Sequence, residues 1–170
     1  MGTPFQVELV TPERVLFSGE ADEVSLRAVE GEITFLAGHE DYVGVADVTV
    51  VRIGVVGSGG DGGAGQEPAE LRAAVHGGFV HVDGEGVVIL AGVAELDHEI
   101  DIARARAALA AAAGRAGDGT PAAREPEAPD RAAGPAQAPV APTDPDPASP
   151  QAAIRRARVR LEAAGATAVT

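Results

Sequence analysis

The 170-residue chain has no cysteine, no lysine and a formal net charge of −13, with only four Phe and one Tyr. That excludes disulfides, thiolate chemistry, the P-loop lysine, Schiff bases and lysine general bases. It also argues against nucleic acid as a partner, because phosphate binding needs a basic, aromatic-bearing surface.

Met1 to Val10 lacks the apolar core of a signal peptide, and no apolar run approaches the roughly 20 residues of a membrane span, so an unexported soluble chain is expected. Phe5, Val7 and Leu9 alternate with Gln6 and Glu8, which predicts a half-buried strand, and Thr11-Pro12-Glu13 reads as a turn. Further short strands are expected at Val15 to Ser18, Glu23 to Val29, Glu32 to Leu36, Asp47 to Val56, Leu71 to His76, Phe79 to Val82 and Val87 to Ala91. With turn residues between them and no helical period among them, they favour an antiparallel sandwich or barrel.

From Asp101 the texture becomes alanine and arginine. The pattern predicts a helix capped by Asp101 and stopped by Gly114. Nine of the twelve prolines lie between Gly114 and Pro150, a stretch with almost no large apolar side chain to offset the entropy of ordering it. A second helix opens at Ser149-Pro150 and stops at Gly165, with Ile154, Ala157, Leu161 and Ala164 on one face. That stripe is narrow, so pairing of the two helices should be weak. The expected organisation is a β-rich head over residues 1–95, a first arm helix over 96–113, a disordered linker over 114–150, and a second helix with its tail over 151–170. Net charge falls as −13 over residues 1–113, −3 over 114–150 and +3 over 151–170, which suits the last helix to an acidic protein surface or a nucleotide.

Motifs for catalysis are weak. Gly57 to Gly62 matches G-x-G-x-x-G, but a strand follows where a dinucleotide site needs a helix, so a glycine-rich hairpin loop is expected. His76-Gly77-Gly78-Phe79 has the look of an oxyanion loop without the G-x-S-x-G elbow that chemistry needs, and reads as a glycine bend. The four histidines lack the i, i+4 spacing of a helical zinc pair. Glu30, Glu32, Glu40 and Asp41 read as a solvated acidic face. Silence on chemistry points to a binding, structural or regulatory role.

Three segments taken together carry a resemblance. They are Phe5-Gln6-Val7-Glu8-Leu9-Val10-Thr11-Pro12-Glu13-Arg14, Gly31-Glu32-Ile33-Thr34-Phe35-Leu36-Ala37-Gly38-His39, and Ala94-Glu95-Leu96-Asp97-His98-Glu99-Ile100-Asp101 ahead of an Ala/Arg helix. With His76-Gly77-Gly78-Phe79-Val80 they resemble the epsilon subunit of F-type ATP synthases. The resemblance implies a β-sandwich of about ten strands with a C-terminal helical arm. It further implies a non-catalytic subunit of the central stalk that couples the gamma subunit to the c-ring, peripheral on the cytoplasmic face of the cell membrane. Gly31, Glu32, Leu36, Gly38 and His39 would then form the rotor interface, with Ala37 in place of the family's proline.

The family's arm folds down as a hairpin or extends to restrain ATP hydrolysis, meeting the catalytic alpha and beta subunits through its basic helix. No cofactor is required, but some members bind ATP as a regulatory ligand through Ile-Asp-x-x-Arg-Ala. Ile100, Asp101, Arg104 and Ala105 match that motif, with Glu95 as the adenine-side carboxylate and second-helix arginines, Arg155, Arg156 and Arg158 with Arg160 beside them, as phosphate contacts. A linker of 37 residues replaces the family's short turn. Its closure costs about 2 kcal/mol more, which disfavours the folded hairpin and makes the second helix a tethered arm. Alternatives are a free-standing ATP-sensing module, or a small hydrolase pairing His76 with Asp83.

Overall fold

The computed structural model describes residues 2–56, 69–117 and 149–166. The expected glycine-rich loop, the body of the linker and the C-terminal tail lie outside them. Alternation produces β1 (Phe5–Val10), with Val7 and Leu9 fully buried. The other strands are β2 (Val15–Ala28), β3 (Gly31–Phe35), β4 (Tyr42–Val55), β5 (Ala69–Val82), β6 (Gly86–Ala91) and β7 (Ala94–Leu96). A 3-10 turn at Asp97–Glu99 leads to the helices α1 (Ile102–Gly117) and α2 (Pro150–Ala163).

The sheet order is β1-β6-β5-β4-β2-β3, with β7 on β5 and an added β1–β2 pairing that closes the path on itself. All pairings are antiparallel except β1–β6. The β-rich head and two helices match expectation, whereas the described residues hold seven strands rather than about ten. The difference has one cause: β2, β4 and β5 are each 14 residues long and run through points that read as breaks.

The glycine bend is the clearest case. Before it, Ala73 and Val75 of β5 face the core; after it, Val80 and Val82 do. Odd positions give way to even ones because Gly77 sits at φ +84, where a side chain would be strained. There β5 also changes partner, from β7 (Ala73 to Val75) to β6 (Gly78 to Val82). A Cβ on Gly78 would press into the Leu90 carbonyl and the Ala91 backbone. Gly78→Ala should therefore cost about 2–3 kcal/mol and lower the head's melting temperature by about 10 °C or more. A melt within 3 °C of the parent would refute the close approach.

The flip gives the head two unlike outer faces. On the first half of β5, Ala74 joins Val48 and Val50 of β4 beneath Ile100 and the α2 residues Val159 and Ala163. The outer face of the second half is bare. There Phe79, Leu90, Val10 and Val15 stand opposite one another in register across four strands, with the buried Val45 of β4 beside Phe79 at the row's end. Phe79, Leu90 and Val15 are 39%, 50% and 58% exposed.

The arm departs from expectation in two ways. The helix α1 passes through Gly114, since a glycine costs only about 1 kcal/mol in a helix that Arg115 and Ala116 continue. The helix α2 is docked against α1, β4 and β5 instead of merely tethered. Its ends form as expected: Ser149 Oγ accepts the Ala152 N–H at 3.1 Å, and Gly165 at φ +65 closes a Schellman turn in which Ala166 N–H reaches the Leu161 carbonyl at 2.8 Å. Ala157 and Leu161 are buried on the expected stripe, while Ala152, Val159 and Ala163 widen it enough to meet both α1 and the sheet.

Candidate functional site

Two surfaces collect the sequence-derived candidates. The first is the loop after β3. Phe35, fully buried, ends β3 and holds His39 edge-on at 5.0 Å between ring centroids and Tyr42 at 5.5 Å. The turn is closed by the His39 N–H to the Leu36 carbonyl at 3.1 Å, with Gly38 at φ +78. Leu36 is left 54% exposed at its tip. Leu36, Ala37, Gly38 and His39 share a small cleft with Asp83 and Gly84 of the β5–β6 turn. Asp83 accepts the Glu85 and Gly86 N–H groups, which hold its carboxyl below the usual range.

Gly31 and Glu32 are not part of this cluster. They begin β3, so about 13 Å of extended strand separates Gly31 from Phe35. Glu32 instead lies 3.8 Å from Arg52, which also bonds Glu162 of α2 at 3.3 Å.

The second surface lies where β7, α1 and α2 meet, a cleft of about 320 Å³ lined by Glu95, Glu99, Asp101, Arg104, Ala105 and Arg160, with Ala108 at its edge. Asp101 caps α1, its Oδ1 accepting the Arg104 N–H at 2.9 Å. Ala105 is buried, which brings the helix close. Glu99 accepts from Arg14 of the β1–β2 turn, and this bond holds its carboxyl below the usual range and ties the base of the arm to the head. Glu95 receives two bonds from Arg160, at 2.9 and 2.6 Å.

Glu95, Asp101, Arg104 and Ala105 are therefore brought together as expected. Ile100 is not on this surface; it is buried with Val50 and Ala74 under α2. Of the four α2 arginines named as phosphate contacts, Arg160 lines the cleft and Arg155, Arg156 and Arg158 do not. Helical spacing alone could have singled out Arg160 only once the buried face of α2 was known to include Val159 and Ala163.

The alternative pairing of His76 with Asp83 is not assembled. The two lie seven residues apart along and beyond β5, about 23 Å by strand rise, and Asp83 is committed to its own turn. Among the described residues no three His, Asp or Glu side chains gather as metal ligands, and no helix is long and apolar enough to cross a membrane.

Residues 4–97 match the family model of the ATP synthase delta/epsilon chain beta-sandwich domain. The ATP synthase epsilon chain of Thermobifida fusca is 50% identical over 108 residues, covering 62% of this chain and 72% of that one. The epsilon chain of Brevibacillus brevis is 42% identical over 102 residues, covering 60% and 70%. A chain in the mitochondrial ATP synthase OSCP/F1/c-ring structure of Euglena gracilis shares the fold, with TM-score 0.58 and 24% identity over 72% of this chain and 71% of its own.

Proposed function

Because this chain belongs to the ATP synthase delta/epsilon family, we propose that it is a non-catalytic central-stalk subunit that couples the gamma subunit to the c-ring on the cytoplasmic face of the cell membrane. The bare row of Phe79, Leu90, Val10 and Val15 carries this reading: a continuous apolar row across four strands is a surface that a partner covers. On this proposal the gamma subunit covers it, while the loop bearing Leu36, Gly38 and His39 meets the c-ring.

The test is a Phe79→Asp, Leu90→Asp double variant. Both side chains are substantially exposed, so the head's melt should move by only a few degrees, while co-purification with gamma and coupled ATP synthesis fall at least tenfold. Assembly at the parent level would sink the proposal.

The cleft at Glu95 supports a second, regulatory role, with ATP as its ligand. A triphosphate would draw Arg160 away from Glu95 and engage Arg104, leaving Glu95 to accept from the adenine amino group. Its lining holds three carboxylates against two arginines, which sets a modest affinity. Calorimetry of the isolated chain should show saturable binding that Arg160→Gln and Arg104→Gln each weaken at least tenfold, and heats indifferent to both changes would reject the site. When α2 leaves the head, its arginines become free to meet acidic segments of the catalytic alpha and beta subunits, the contact through which the arm would restrain hydrolysis.

A further inference from the structure

His76 has no part in either surface, yet it occupies an unusual position. It stands on β5 two residues after Ala74, on the face that α2 covers. Both ring nitrogens are buried without a hydrogen-bond partner among the described residues. Buried polar atoms are normally paired, because leaving one unpaired forfeits its hydration. The surroundings give the ring no acceptor. The cross-strand neighbour of His76 on β4 is Val48, and the Val93 carbonyl accepts the His76 backbone N–H at 3.0 Å. The charges that act on it are Arg160 and Arg156 from α2 and Glu95 from β7, and Glu95 is already bonded to Arg160.

We propose that His76 is a proton sensor for the arm: the neutral imidazole is sealed beneath docked α2, and the imidazolium expels the helix to regain water and escape its arginines. Burial first, then Arg160 and Arg156, push the imidazole down to about 4 against the opposing pull of Glu95. The sign follows from which state binds the proton. With α2 released the ring returns toward its ordinary value near 6.5, so the released form takes up the proton more readily. Docking is therefore at full strength above about pH 6.5, weakens as pH falls below it, and stops weakening near pH 4. Between pH 7.5 and 5.5 the released-to-docked ratio should rise about tenfold.

The proposal concerns the chain alone and does not depend on its assembly. Hydrogen exchange of the Ala157 to Leu161 amides in the full chain, corrected for the intrinsic rate, reads the opening equilibrium of α2. Protection should fall about tenfold between pH 7.5 and 5.5, and should stay within twofold in His76→Gln. An equal fall in that variant, or no fall in the parent, overturns the proposal. Titration of the His76 ring by NMR in the unaltered chain gives a measurement that does not need the variant to fold. A midpoint below 5 with α2 docked supports the sensor, and a midpoint of 6 or above overturns it.

Discussion

Replacing Phe35 with alanine should destabilise the head by about 3–5 kcal/mol and, on the proposed contact with the c-ring, abolish coupled ATP synthesis, because one ring serves both the core and the loop bearing Leu36, Gly38 and His39. Phe35 is fully buried, and among the described residues no other aromatic is both in the core and within 5.5 Å of two further rings. Its loss leaves a cavity and removes the edge that holds His39 in place. For a head of this size the melting temperature should drop by about 15 °C or more. Leu36→Ala is the matched control. Its side chain is mostly outside the fold, so the melt should hold within about 3 °C while coupling weakens. If Phe35→Ala melts normally, or Leu36→Ala melts as low, the division between anchor and contact residue is wrong.

Val159→Asp should release the arm and leave the head intact. Val159 is 8% exposed and packs with Val50, Ala74 and Ile100, none of which belongs to the main core. An ionised carboxylate there must lose water against that cluster, and the Arg27 and Arg52 guanidiniums that line the adjoining cleft offset only part of the cost. Its burial disfavours docking by about 3 kcal/mol, a shift of more than a hundredfold. Since the chain has no cysteine, Val50→Cys makes a clean reporter. Its thiol should react slowly with the parent arm docked and at least fiftyfold faster beside Asp at position 159, with the head's far-ultraviolet strand signal unchanged. Equal labelling rates would show that α2 does not depend on this face.

The legible parts of the sequence were those set by neighbours along the chain. Alternation at Val7 and Leu9, the cap at Asp101 and the Ser149-Pro150 start all formed as read, because each depends on residues within one turn or one pleat. Glu95, Asp101, Arg104 and Ala105 were singled out by the family resemblance and not by local spacing, and the structure brings the four to one cleft. What stayed hidden depends on tertiary phase. His76-Gly77-Gly78 carries the composition of a turn, and only pairing with β4 on one side and β7 then β6 on the other reveals a single strand that exchanges its faces. Which arginine of α2 meets Glu95 is likewise decided by how the helix rolls onto the sheet. That roll is set by Val159 and Ala163, apolar residues that the single stripe of Ile154, Ala157, Leu161 and Ala164 left out.

The long β4–β5 pairing has a mechanical consequence. It runs without a register shift from Tyr42 opposite Val82, near the loop after β3, to Val55 opposite Ala69, beyond the face that carries α2. At the rise of an extended strand this is a two-stranded beam about 45 Å in contour length. A load applied at the end near the loop after β3 is then borne by peptide bonds under tension and by hydrogen bonds in shear, and meets a side-chain interface only where Val159 and Ala163 pack on Val50 and Ala74. Stiffness of this kind is set by backbone continuity, so trimming side chains along the middle of the beam should lower its melting point long before it lowers its torsional rigidity.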